Sequence, residues 1–390
     1  MVLRELADIS ILDPEADVPF DPDDRLFSPE SVLTYLPNLI TMEEFGAFRI
    51  KFAHFSIQEY LLSQRITQRP TTKVFHIEET DAHLHIANSC LAYHLHLSRH
   101  ILATEDTFQK FALWLYASQN WHRHIEKVAN ESLPDAINSR VAQLLDRRSQ
   151  AFLNQNRIGK PNLRRPQRLD GRNWNLQPKE VWPPLCYCAS LASLWPIRYL
   201  IKRGDMIDEV SDNCPNGFAL QHAILERNLE VAKLLLHSGA NVNMQGGKYG
   251  NALQAAAAFR NAEIVQLLVN NGADVNAQGG VYGTALQAAA AFGNAEVVQF
   301  LVDNGADVNI PGGKYGNALQ AAISHSYNEI TRFLLNNGAD INAEGEYGNA
   351  LQAAVHYRRY EIYELLLEMG ADKSVLGEEE LRIVSSMSST

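Results

Sequence analysis

The sequence predicts a mainly α protein whose C-terminal half is a solenoid of stacked two-helix repeats. Three observations carry this. The phrase "YGNALQAAAAF" at Tyr249 returns as "YGTALQAAAAF" at Tyr282 and as "YGNALQAA" at Tyr315 and Tyr347, in steps of 33, 33 and 32 residues. A glycine closes each period at Gly204, Gly239, Gly272, Gly305, Gly338 and Gly370, and a glutamate marks the same frame at Glu230, Glu263, Glu296, Glu329 and Glu361. A period near 33 residues fits one supersecondary unit, which buries its apolar face only by stacking on a copy of itself.

Composition sets the outer bounds. With 390 residues, 46% hydrophobic and 20% charged, the chain can build a large core and more than one domain. The opening "MVLRELADIS" has neither a basic n-region nor an apolar h-region, and no run reaches the roughly 18 apolar residues of a membrane span. The expected location is the cytoplasm, with the nucleus as the alternative. Cys90, Cys186, Cys188 and Cys214 form no C-x-x-C and are too few for a disulfide framework, so they are expected as reduced, half-buried side chains. The net charge of −11 argues against direct nucleic-acid binding.

Residues 1–70 begin acidic, with nine acids against two bases up to Glu30. Ser28-Pro29 supplies an N-cap with proline at the first helical position. The β-prone runs Leu39–Met42 and Ala47–Phe52 flank Gly46, a hairpin signal. Ser56 and Glu59 form a capping box ahead of a helix whose buried stripe is Ile57, Tyr60 and Leu61. Helix, hairpin and helix in so short a span predict a small winged-helix-like unit. Residues 71–155 read as a helical segment, because "DAHLHIANSCLAY" and "FALWLYASQNWHRHI" place apolar and aromatic residues at helical spacing.

Residues 156–182 read as a basic Pro/Arg linker. Nine bases face two acids between Arg140 and Arg172, which is read as a solvated helix face running into the linker, or as a patch for import or an acidic partner around "KPNLRRPQR".

Residues 183–376 hold about six repeats, beginning near Pro183, Gly217, Gly250, Gly283, Gly316 and Gly348. Asn251, Thr284, Asn317 and Asn349 are N-caps for a first helix over "ALQAA". The alanines keep that helix thin, so neighbours approach closely. In "NAEIVQLLVNN" the second helix turns Ile264, Leu267 and Leu268 to one face, with Glu263 at its positive start. Gly272 then takes the left-handed C′ position. "ADVNAQGGVYG" carries the turn residues of a hairpin that leads to the next unit. Residues 377–390 are a tail expected to fray.

These repeats resemble ankyrin repeats, with the family's T-P mostly written Asn-Ala and its histidine replaced by Gln221, Gln254, Gln287, Gln320 and Gln352. The resemblance covers about half the chain and implies an ankyrin-repeat solenoid that binds a protein partner. In its layout Tyr249, Tyr282, Tyr315 and Tyr347 form a row along the hairpin edge, either packing on the neighbouring repeat or making a contact surface. The variable late first-helix positions Glu226, Phe259, Phe292, His325 and Tyr357 border the concave binding face and are the second group of contact candidates. "DPDDRLFSPESVLTYLPNLI", "FAHFSIQEYLLS", "AHLHIANSCLAY" and "YASQNWHRHI" are similar to the segment that follows the NTPase module in fungal NACHT-type STAND proteins. The chain departs from that family, because it holds no G-x-x-x-x-G-K-S/T phosphate loop. It therefore looks like the tail half of such a protein.

Chemistry-bearing patterns are sparse. Nine of the thirteen histidines lie between His54 and His124. Cys90 with His94, and His96 with His100, stand four apart, a spacing that suits two ligands on one helix face. The two pairs are out of phase and no further cysteine is near, so core or surface histidines are the expectation and no metal or other cofactor is assigned. No nucleophile elbow, zincin motif or dinucleotide fingerprint occurs. The expected function is non-catalytic: an interaction scaffold with a protein partner, no small-molecule substrate and no membrane. A nuclear co-regulator and a remnant of a STAND sensor are the alternatives.

Overall fold

The computed structural model describes residues 40–44, 48–52, 78–111, 113–128, 133–158, 175–210 and 217–387. They belong to two compact units, Met1–Tyr187 and Cys188–Thr390. Strands β1 (Ile40–Glu44) and β2 (Phe48–Phe52) pair antiparallel, with Ile40 opposite Phe52 and Glu44 opposite Phe48. This is the hairpin expected around Gly46. The helices expected from Ser28 and from Ser56 lie outside the described residues.

In the first unit, α1 (Glu79–His100) packs on α3 (Leu113–Val128), with the short α2 (Glu105–Lys110) between them in sequence, and α4 (Asp135–Leu144) and α5 (Gln150–Ile158) complete the group. Aromatic rings fill its core: Tyr93, Trp114, Trp121 and Phe152 are all buried. Such rings remove a large apolar area from water, but Trp114 also carries an N–H that needs an acceptor. His94 provides it. The Trp114 indole N–H donates to His94 Nδ1 at 2.7 Å, which leaves the proton on Nε2 to donate to the Ala151 carbonyl at 3.1 Å. Both ring nitrogens are engaged within the core, and burial holds the imidazole neutral with a pKa of about 4. The Cys90/His94 spacing thus serves packing, and His96 and His100 meet edge-on at 5.9 Å.

Three polar residues of α5, Asn154, Gln155 and Arg157, point inward. Asn154 accepts from the Ala103 N–H and donates to Ser98 Oγ and the Ile101 carbonyl. Gln155 donates to the Ser118 carbonyl and the Tyr187 hydroxyl. Arg157 donates to the carbonyls of Leu176 and Ala103.

These contacts correct the two ends of the basic linker expected over 156–182, whose residues 159–174 lie outside the described residues. Residues 156–158 finish α5, Arg157 is only 4% exposed, and Leu176 and Val181 are buried. Arg140 bonds Asn88 and Arg147 reaches the Val181 carbonyl, so part of the basic run holds the unit together instead of facing solvent. The cysteines need a second correction. Cys90, Cys186 and Cys188 are fully buried, not half-buried.

Six helix pairs follow among the described residues. They are α6 (Pro184–Ser190) with α7 (Leu194–Arg203), α8 (Ala219–Leu225) with α9 (Leu229–His237), and α10 (Ala252–Ala258) with α11 (Ala262–Asn270). Then come α12 (Ala285–Ala291) with α13 (Ala295–Asp303), α14 (Ala318–Ser324) with α15 (Asn328–Asn336), and α16 (Ala350–His356) with α17 (Tyr360–Glu368). From α8 onward first helices stack on first helices, and from α7 onward second on second. The boundary between the compact units falls inside α6, a few residues beyond the repeat start expected at Pro183.

The repeated phrase accounts for this stacking atom by atom. Asn251, Thr284, Asn317 and Asn349 cap their helices by accepting from the backbone N–H three residues on, which belongs to Gln254, Gln287, Gln320 and Gln352 respectively. The Gln254 amide oxygen returns a bond to the Asn251 N–H at 2.8 Å, closing a capping box. Its Nε2 crosses to the next repeat, donating to the carbonyls of Ala277 at 2.9 Å and Gly283 at 2.6 Å. Gln221, Gln287 and Gln320 make the same crossing. Gly250 stands at φ +92°, and a β-carbon there would collide with the Gln254 amide oxygen. The glycine is therefore required by both backbone conformation and space.

A second ladder runs along the hairpins. Asn243, Asn276 and Asn309 each donate Nδ2 to the helix-ending glycine of the following repeat (Gly272, Gly305 and Gly338) and accept from the N–H two residues beyond that glycine.

The second helices end as expected. In α11 the Gly272 N–H bonds the Val269 carbonyl and the Ala273 N–H bonds that of Leu268, the double closure that a left-handed C′ glycine allows. Its buried face is Ile264, Val265 and Leu268, whereas Leu267, expected inside, is half-buried at the margin. The tail also differs from expectation. Instead of fraying from residue 377, it forms α18 (Glu378–Met387), which packs on α16 behind the buried Leu376. Three glutamates in its first turn favour the helix start, and the Gly377 N–H donates to Glu380.

Candidate functional site

The hairpin tyrosines and the late first-helix residues, two separate groups in the sequence, meet in space. The rings of Tyr249 and Phe259 stand edge-to-face with centroids 5.3 Å apart, Tyr282 and Phe292 at 5.2 Å, Tyr315 and His325 at 5.4 Å, and Tyr347 and Tyr357 at 5.2 Å. The spacing of ten residues in every pair explains the contact. It carries the chain from the hairpin through one short helix, whose end returns the ring to the hairpin side. Glu226, the matching residue of α8, is half-buried and belongs to a repeat without a tyrosine at the equivalent place.

The first two pairs are joined along the stack. Tyr249 lies nearly parallel to Tyr282, 6.4 Å between centroids. All four tyrosines, Phe259, Phe292 and Tyr357 are half-buried, and His325 is exposed. These rings therefore pack on their own repeats and still present surface. Burial, and then the neighbouring ring, raises the hydroxyl pKa of Tyr249 and of Tyr282, and burial with Tyr347 and Glu346 nearby pushes Tyr357 up to about 12. Their hydroxyls are thus protonated and available as donors at neutral pH.

Four members escaped the sequence reading. Tyr327 stacks on His325 at 5.9 Å, and His356 stacks on Tyr347 at 3.8 Å. The Tyr327 ring fits because Gly293 stands where other repeats place Arg227, Arg260, Ser326 or Arg358: a β-carbon there would strike the ring. Lys248 holds its ammonium 5.8 Å from the centre of the Tyr249 ring, and Lys314 lies 5.1 Å from that of Tyr315. The signal for the lysines was present in the twice-written "GGKYG", which has no meaning until the ring behind each lysine is in place.

Among the described residues, no group of three or more His, Cys, Asp or Glu side chains could hold a metal ion, and no helix is long and apolar enough to cross a membrane.

Comparison with known proteins bears on the repeats. The family model for ankyrin repeats in three copies matches residues 245–312 and 311–376, and the model for ankyrin repeats in many copies matches residues 220–269. A curated fungal protein, azaphilone pigments biosynthesis cluster protein L of Monascus ruber, is 31% identical over 131 residues, 32% of this chain and 27% of that protein. The chain thus spans about a quarter of that relative's length. Among solved structures, the ankyrin repeat domain of human ASB11 is 26% identical, covering 49% of this chain and 85% of that one, at a TM-score of 0.43. On the two family models, the chain carries ankyrin repeats across residues 220–376.

Proposed function

We propose that the chain is a non-catalytic scaffold that holds a protein partner on the aromatic face of its repeats. The observation that carries this reading is the convergence of the hairpin tyrosines with Phe259, Phe292, His325 and Tyr357 into one half-exposed surface. Rings are favoured anchors at interfaces because they offer large contact area with few torsions to freeze. Here those torsions are already restricted by ring-on-ring packing, so little ordering entropy is lost on binding. In this reading residues 1–182 form a separate platform for a second surface.

The test is photo-crosslinking in lysate of the full chain with a benzophenone amino acid in place of Phe292. The expected result is one dominant adduct that disappears when Tyr249, Tyr282, Tyr315 and Tyr347 are all changed to alanine, with helicity by circular dichroism unchanged. The same adduct from the alanine chain would overturn the reading.

A second reading, the tail portion of a fungal STAND sensor, rests on the resemblance of "FAHFSIQEYLLS", "AHLHIANSCLAY" and "YASQNWHRHI" to the segment that follows the NTPase module in such proteins. A phosphate-loop coding segment directly upstream in the genome would establish it, and unrelated sequence there would remove it.

A further inference from the structure

The charges around the aromatic face run against those of the chain as a whole. Net charge is −11, yet Lys248 and Lys314 cover two of the tyrosine rings, and Arg227 and Arg260 lie beside Phe259 and Phe292. The Arg227 guanidinium donates to the Phe259 carbonyl at 3.0 Å and that of Arg260 approaches the Gly293 carbonyl at 3.5 Å, which ties both cations to the ends of the first helices that carry the rings. All four are exposed. Asp274 and Asp307 stand at the hairpin starts beside the helix-ending glycines, each accepting from the backbone N–H two residues on, and only the last hairpin adds acids, Glu344 and Glu346, in the stretch leading directly into its tyrosine. From Tyr249 to Tyr315 the face is thus cationic and aromatic on an acidic protein.

Resting on the scaffold reading, we infer that this stretch takes an extended acidic peptide segment of its partner, with aromatic or aliphatic side chains between the carboxylates. Carboxylates pair with Lys248, Arg260 and Lys314, while the apolar side chains lie against the rings that the lysines leave open. The field of the molecule acts in the same direction. On a chain of net charge −11 a negatively charged segment is drawn to this cationic stretch of the repeats, which favours its place there and raises its on-rate. A single-stranded nucleic acid would also seek cations and rings, but it needs free ring faces. Tyr249 and Tyr282 already stack on each other, and Lys248 stands over Tyr249.

The experiment is fluorescence anisotropy with the full chain and three labelled probes of matched length: a peptide alternating glutamate with phenylalanine and leucine, the same peptide with lysine for glutamate, and oligouridine. The acidic peptide is expected to bind most tightly and to weaken as salt is added. Lys248→Glu with Lys314→Glu should weaken it about tenfold or more, while Lys248→Arg with Lys314→Arg retains binding. Both lysines are exposed, and circular dichroism shows whether the variants stay folded. Equal or tighter binding of the basic peptide or of oligouridine overturns the inference, as does an acidic peptide that fails to bind or is indifferent to the charge reversal. If such a failure accompanies a tyrosine-dependent crosslink, the scaffold reading stands with an occupant of different chemistry; loss of both removes both.

Discussion

Gln254, Gln287 and Gln320 in the repeats and Asn154, Gln155 and Arg157 in the preceding helical unit are all buried polar side chains, but their partners are arranged differently. Each repeat glutamine sends its amide to the hairpin carbonyls of the next repeat, about 23 or 29 residues on. Each polar residue of α5 has its own set of partners in α1, α3 or the loops. The repeats use one solution many times, so a defect there stays near one interface. The helical unit uses each solution once, around bulky rings, and a defect there disturbs the whole core.

Trp114→Ala breaks this comparison at its strongest point. It empties a large buried site and leaves His94 Nδ1 without its donor, at a cost of about 3–5 kcal/mol. Denaturant unfolding followed by tryptophan fluorescence should show the helical unit lost at much lower urea, with the ellipticity of the repeats retained. If the repeats unfold in the same transition, the contrast fails.

Acid comes next. Burial lowers His94 from 6.5 to about 4 and His122 from 6.5 to about 3. Between the ordinary and the lowered values the unfolded chain binds protons that the folded chain does not. Stability is therefore full above about pH 6.5 and falls as pH drops toward about 4, by roughly 3 kcal/mol for each of the two histidines. Urea midpoints at about pH 7.5 and about pH 5 check the sign, and His94→Gln should flatten the dependence.

Gln287→Ala sharpens the other side of the comparison. It removes a capping contact to Thr284 and the bond to the Ile310 carbonyl, costing about 1–3 kcal/mol. Hydrogen exchange should rise in α12 and the hairpin after α13, with α8 and α17 little changed; uniform loss of protection would contradict a local defect. The smallest effect on stability is Tyr282→Ala, about 1 kcal/mol or less for a half-exposed ring that loses its contact with Phe292. Its effect on partner crosslinking should be far larger, and a variant that loses stability without losing the adduct would return the ring to a packing role.

Much of the fold was legible because its signals are local. Asn251 precedes its helix, Gly272 follows one, and "ALQAA" is a thin helix wherever it is written; each follows from neighbouring residues alone. The aromatic pairs were half legible. Tyr249 and Phe259 were both singled out, but nothing in the order of letters says that their rings touch, because that depends on how the hairpin folds back over the helix end. Arg157 was misread for the same reason. In a run of bases it looks solvated, and only the return of Leu176 beside it, with Ala103, supplies the carbonyls that hold it inside.

By itself the sequence determined the repeat, its period, its caps and its helix ends, since all of these are set by backbone chemistry within a few residues. The tertiary structure decided what each polar letter does after that: that a capping glutamine also spans to the next repeat, that His94 is a core acceptor, and that tyrosines and phenylalanines ten apart share one face beside exposed lysines. Those roles depend on atoms brought together from distant parts of the chain, and a side chain's partners are fixed only when the surfaces that exclude water from it have closed.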